Sequence, residues 1–287
     1  MIKGRLSNST TNKKVLIWFL LVFLFFFFTI GLSFITLKSD SSIGKLKLVQ
    51  LFQTIFVFLV PCCIGSYLWS DSPIKWLNLN KKVNWKDLLY IALWILISLP
   101  AINMLSYYNQ QLLSLPIFDS LNSIFEDMYI SQVETLEKFM RAENFGIFLF
   151  NVFLMAVIPA ISEEIFFRGT LQKFTAQYTN QYIAVWVAGI IFSLVHFDIY
   201  GFIPRMLLGV VFGYMYLWSS NLWYNITAHL SNNFYIVLLY YLCQKFDIDS
   251  SYIDSIGYGN TLWVGIISII ISCVMIKLLK KRISEQN

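Results

Sequence analysis

Charge is what this chain of 287 residues has least of: Asp, Glu, Lys and Arg make up 13% of it, about half of what an ordinary soluble domain carries. That shortage excludes a charge-rich disordered chain and nucleic-acid binding as the main role. Cysteine is also scarce. Cys62, Cys63, Cys243 and Cys273 lie in or at the edge of apolar runs with no CxxC pair, so neither a disulfide scaffold nor a zinc ribbon is indicated, and all four read as small core residues. Histidine occurs only at positions 196 and 229. There is no internal repeat, no Gly/Ser-rich linker and no sign of a second, soluble domain.

What is present is apolar: 57% hydrophobic residues, 18% aromatic, mean hydropathy +0.65. The runs are long enough to cross about 30 Å of hydrocarbon. Val15 to Leu37 is too long for the apolar core of a signal peptide and no A-x-A site follows it, so it reads as a first transmembrane helix. Further spans are expected at Val49–Trp69, Leu88–Tyr107, Phe145 into the 170s, Tyr182 to about Tyr200, Phe202–Trp218, Leu222–Cys243 and Leu262–Leu279. The expected fold is all-α, a polytopic membrane bundle of about eight transmembrane helices. It divides into residues 1–144 (three N-terminal transmembrane helices and an interfacial segment), 145–243 (a helical core that holds the unusual polar residues) and 244–287 (a last helix and basic tail).

Orientation follows from Lys and Arg counted over short loops. Both termini, the loop after the second span and the pair Arg168 and Lys173 together hold fourteen of the twenty-one basic residues; seven fall on the other side. Both termini are therefore expected in the cytoplasm. The Ile/Asn/Lys-rich usage suggests a bacterial cytoplasmic membrane. Between Tyr108 and Asn144, Ile117, Leu121, Ile124, Phe125 and Met128 recur at helical spacing among Asp119, Glu126 and Asp127, the pattern of a helix lying along the outer interface.

Ionisable residues inside such spans cost about 2.5 to 3.5 kcal/mol each on insertion scales, which makes them candidates for function. Here they cluster: Glu163 and Glu164 are adjacent, and both histidines sit in or at the end of apolar runs. Residues four apart share a helix face, so Glu164 can pair with Arg168, Phe192 with His196 and His229 with Asn233. Glu163 and Glu164 differ by about 100° around the axis; one is expected on Arg168 and the other in a cavity, with no partner common to both. Pro159 should bend the helix a turn before them. Arg205, after Pro204, is expected to snorkel. Asp198 and Asn225 are expected to stand outside the site.

The order EExxxR (Glu163, Glu164, Arg168), FxxxH (Phe192, His196) and HxxxN (His229, Asn233), each on its own apolar segment, resembles the CPBP family, which comprises type II CAAX prenyl proteases and bacteriocin-processing enzymes and is also called Abi. The resemblance covers roughly residues 145 to 240. It implies an intramembrane endopeptidase in which Glu163 and His196 activate a water, His229 and Asn233 stabilise the oxyanion, and Glu164, Arg168 and Phe192 support the site. The partners implied are membrane lipid and a peptide or membrane-protein substrate, with no nucleic acid. The family is often called metalloprotease, and two histidines with a carboxylate are also a catalytic zinc set; the residues leave open whether zinc is held by Glu163, His196 and His229 or no metal takes part. Two other readings use the same residues: a proton- or ion-coupled transporter, which would favour inverted repeats that the chain lacks, and a non-proteolytic immunity or scaffold protein of the same fold.

Overall fold

A computed structural model describes residues 3–38 and 42–285. Among them there is no strand, and the long helices are α1 Thr11–Leu37, α2 Ile43–Trp69, α3 Trp85–Leu113, α4 Asp119–Met140, α5 Phe145–Thr175, α6 Gln181–Leu194, α7 Phe202–Ser219, α8 Leu222–Phe246 and α9 Leu262–Ser284. The protein is an integral membrane helix bundle. Side-chain oxygens accept from the backbone at the helix starts, Thr10 for α1, Asn84 for α3, Asn180 for α6 and Asn221 for α8, so the orphan N–H groups of those first turns have partners.

Six of the helices are long and apolar enough to cross a membrane by length and composition, not the expected eight. The two that fall short are α6 and α8. α6 stops at Leu194 rather than running on to about Tyr200; its 14 residues span about 21 Å. α8 has 25 residues but interrupts its apolar surface with Asn225, His229, Asn232 and Asn233. These two elements flank the candidate site, so the apolar signal fails where polar groups have to be held. α2 begins at Ile43 and takes in Lys45 and Lys47, which composition alone places in a loop. α3 runs on to Leu113, so the amphipathic helix begins only at Asp119.

The charge asymmetry has a structural counterpart. At one end of the bundle Gly4 N–H donates to Tyr67 O (3.0 Å), Lys173 Nζ to Trp76 O, and Asn221 Nδ2 to Lys82 O (3.0 Å). There too Arg282 binds fully buried Asp87 at 2.6 Å, tying the start of α3 to the end of α9. The opposite end gathers the turn 195–201, α4 and the segment after α8. Asn109 of α3 donates to Ile199 O and Tyr200 O (2.8 and 2.7 Å), Gln132 of α4 to Phe197 O (2.8 Å), and Asn103 to Ile253 O (3.0 Å). Ten of the sixteen acidic residues lie at this second end, in α4 and its flank, at Asp198, and between 247 and 254. Arg168 does not count toward loop charge, because it is wholly buried between helices.

Candidate functional site

The site is built on α5, which is not one regular helix. Wide π-type turns at Phe153–Val157 and Phe167–Gln172 bracket a regular stretch, Ile158–Phe166, that carries both glutamates. Such turns recur inside helices at functional sites. Pro159 begins the regular stretch. Lacking an N–H, it cannot donate to the Met155 carbonyl four residues before, and that carbonyl accepts instead from Asn233 Nδ2 of α8 at 3.2 Å. The proline thus opens an anchor for the neighbouring helix as well as ending the turn.

Glu164 and Arg168 face inward and are fully buried, with Arg168 Nη1 2.9 Å from Glu164 Oε1. Arg168 Nη2 also donates to Gly209 O at 2.8 Å, and its guanidinium lies 4.9 Å from the Phe192 ring and 5.6 Å from that of Phe212, which supply cation–π contact where water is excluded. Gly209 makes this reach possible. It packs against Gly189 of α6, where an added Cβ would come within 3.1 Å of Gly189 Cα and of Phe192 Cδ1. Gly213, one turn on, offers its carbonyl to Gln172 (3.1 Å). The GVVFG run, Gly209 to Gly213, is a GxxxG spacing that permits close helix approach, and that spacing is visible in the sequence.

His229 meets both glutamates, contrary to expectation. Its Nδ1 is 2.9 Å from Glu164 Oε1 and its Nε2 is 3.8 Å from Glu163 Oε2. The 100° between the carboxylates does not prevent this, because an imidazole carries nitrogens on two edges and lies between the two side chains. His196 follows the end of α6 in a turn. Its Nδ1 contacts Phe192 O at 2.6 Å and its Nε2 is 3.8 Å from the same Glu163 oxygen. Phe192 packs edge-on against both imidazoles, at centroid distances of 5.0 and 5.6 Å. The next residue, Phe197, is in the left-handed region (φ 53°), a conformation costly for a non-glycine; Gln132 on its carbonyl and the two Asn109 contacts hold the turn.

The hydrogen-bond partners assign the ring protons. A backbone carbonyl only accepts, so His196 Nδ1 carries hydrogen and Nε2 presents a lone pair. Glu164 Oε1, bound by Arg168, accepts from His229 Nδ1, so that nitrogen too carries hydrogen. Each histidine thus turns its Nε2 toward Glu163 Oε2, at 3.8 Å. Glu163 Oε2 is buried without a hydrogen-bond partner among the described residues. Acceptors so arranged require a shared proton, a water or a cation between them. In kind, the set suits zinc, and each histidine is oriented through its other nitrogen as zinc ligands are. In placement it does not: among the described residues no three His, Cys, Asp or Glu side chains are positioned to hold one metal ion. A water about 2.8 Å from each atom spans the 3.8 Å separations.

Arg205 does not snorkel. Its Nη2 binds Asp198 Oδ2 at 2.8 Å, and Asp198 Oδ1 accepts from Gly201 N–H (2.9 Å), which closes the turn after His196. Asn225 is buried and donates to Phe212 O, joining α8 to α7. Three contributors were not singled out from sequence: Asn109, Gln132, and the pair of Lys47 with Asn151 (2.7 Å), both buried between α2 and α5. A lone Asn within FGIFLFNVFLM is the signal that could have marked the last.

Fold and site together define a polytopic membrane protein with a buried carboxylate–imidazole cluster. Residues 145–235 match the family described as type II CAAX prenyl endopeptidase Rce1-like, over nearly the stretch for which the motifs suggested it. Two Bacillus subtilis (strain 168) proteins are similar: "Putative membrane peptidase YdiL", 27% identical over 88 residues (31% of this chain, 36% of that protein), and "Uncharacterized protein YpbD", 30% identical over 98 residues (33% and 45%). The matches thus span less than half of either relative. No solved structure matches the chain.

Proposed function

We propose that the protein is an intramembrane endopeptidase that hydrolyses a peptide bond with a water held by Glu163 and His196. The observation that carries this reading is the approach of two imidazole nitrogens to 3.8 Å from one buried carboxylate oxygen that has no hydrogen-bond partner among the described residues, separations that a bridging water would span. Glu163 takes a proton from that water as its oxygen adds to the scissile carbonyl carbon. His196, fixed through Nδ1 on Phe192 O, accepts the second hydrogen bond and orients the nucleophile. The negative charge that develops on the carbonyl oxygen is met by His229 in its protonated form, which Glu164 supports from the opposite edge, and by the free N–H of the Asn233 amide. Return of the proton from Glu163 to the leaving nitrogen breaks the C–N bond and releases an amine and a carboxylic acid, whose remaining proton is lost to water. Arg168 keeps Glu164 ionised and in place.

The rest of the reading follows from this. The three expected divisions become an N-terminal bundle half, a reactive core at 145–243 and a closing helix with its basic tail. Both termini lie in the cytoplasm of a bacterial cell, and the substrate is a membrane-associated protein or peptide precursor. The test compares membranes holding wild type and Glu163→Gln at equal protein levels by mass spectrometry of peptide termini. Termini formed only with wild type are expected; identical sets across growth conditions would refute proteolysis.

A further inference from the structure

The two ends of the bundle do not give equal access to the cluster. Toward the end that carries the basic loops, the residues after Glu164 on α5 are buried without a gap: Phe166, Phe167, Arg168 and Leu171 pack with Phe192, Leu222 and Ile226 in one apolar core. Nothing peptide-sized enters there. Toward the acid-rich end Met140, Phe148 and Val237 form a further buried cluster between α5 and α8, but on the side of the turn after α6 the packing stops at His196, whose side chain is 31% exposed, and Phe197 beside it is 74% exposed. The turn holding these two residues belongs to that end: it is fastened by Asn109 near the finish of α3 and by Gln132 of the amphipathic α4, and the Tyr129 ring of α4 packs edge-on to Tyr200 at 5.0 Å.

Positive charge marks the cytoplasmic end of a helical membrane protein. The sealed end carries both ends of the chain and thirteen of the twenty-one basic residues; the open end carries ten of the sixteen acids. We infer that the cluster opens to the extracytoplasmic side, and that its substrates are exported peptides or the outer juxtamembrane segments of membrane proteins. A C-terminal tail presented from the cytoplasm would meet the packed core. What enters the opening rests on the peptidase reading; where the opening lies does not.

Two measurements separate those parts. In a chain with the exposed Cys63 and Cys273 replaced by alanine, Phe197→Cys marks the opening and Lys81→Cys the basic end. A charged, membrane-impermeant maleimide is applied to intact cells and to inverted vesicles. Labelling of Phe197→Cys in intact cells, with Lys81→Cys labelled only after inversion, is expected. Phe197→Cys reacting only in inverted vesicles would overturn the inference. Because Phe197 is in a left-handed conformation, Gln132→Cys, on the helix that touches the turn, serves as a second reporter with the same expectations. The termini formed only with wild type are then mapped on their parent proteins. Positions outside the cytoplasmic face support the substrate class, and cytoplasmic positions refute it while leaving proteolysis intact. If no such termini form, the peptidase reading fails, and labelling alone still decides the side of the opening.

Discussion

Glu163 and Glu164 are neighbours of identical chemistry, yet they stand in opposite halves of one site. Around Glu164 the space is closed: a guanidinium at 2.9 Å, an imidazole at 2.9 Å on the same oxygen, and no exposure. Around Glu163 the nearest nitrogens stand off at 3.8 Å and the histidine beyond is partly open. The difference is set by the 100° step between consecutive helix positions, which turns one carboxylate into the packed core and the other into a gap. An ion pair fixed in a low dielectric organises structure; a carboxylate whose nearest nitrogens stand off at 3.8 Å is available for chemistry. The comparison therefore predicts that the two residues fail in different ways.

The largest effect belongs to the open half. Glu163→Gln preserves shape and removes the base, so turnover should fall by about 10²–10⁴-fold or more, with the thermal unfolding temperature in detergent unchanged. Retained turnover would remove Glu163 from the chemistry. The closed half should show the reverse. Arg168→Ala leaves Glu164 buried and unpaired, at about 3–5 kcal/mol, and should lower the yield of folded protein and its unfolding temperature. Replacing both partners, Glu164→Gln with Arg168→Met, should restore much of that stability, because the penalty comes from the uncompensated charge. A double variant no more stable than Arg168→Ala would mean the pair acts through something other than charge.

Asn233 lies between the halves: its amide holds the Met155 carbonyl that Pro159 leaves free and has one N–H to spare. Asn233→Ala should cost about 1–3 kcal/mol, read chiefly as lower kcat with KM little changed. A pure rise in KM would place the residue in binding instead. Gln132→Ala removes one hydrogen bond to the turn behind His196, worth about 1 kcal/mol. Hydrogen exchange in residues 195–201 should quicken while the rest of the bundle is unaltered.

Much of this arrangement is legible in sequence because membrane insertion penalises polar groups, so Glu163, Glu164, Arg168, His196, His229 and Asn233 stand out against their runs. The runs also locate the long apolar helices, and helical spacing marks the amphipathic α4. What cannot be read is where a helix departs from 3.6 residues per turn. The π-type turns flanking Ile158–Phe166 leave no compositional mark, and without them the spatial relation of the glutamates to His229 cannot be worked out. The end of α6 at Leu194 escapes for a similar reason, since apolar residues continue through Phe197 while the backbone has already turned. The meeting of one imidazole with two carboxylates depends on side-chain placement between helices, which spacing along one helix does not report.

The smallest expected effect is no effect, and it bears on the open half alone. A buried carboxylate oxygen with two imidazoles near it can be bridged by a water or drawn onto a cation, and the arrangement bears on which: ligands about 2.0–2.2 Å from one zinc stand roughly 3.4 Å from each other, whereas the nitrogens here stand 3.8 Å from the carboxylate oxygen and, among the described residues, no three such groups are placed to hold one ion. Treating wild-type membranes with a zinc chelator should therefore leave the rate of terminus formation as it was. A loss that added zinc reverses would mean that His196, His229 and Glu163 close together around an ion. The turn 195–201 would then have to move, since His229 is fixed by Glu164 from behind while His196 sits on the less confined segment. Under that outcome Gln132→Ala would shift zinc affinity; under the metal-free one it would shift only local exchange.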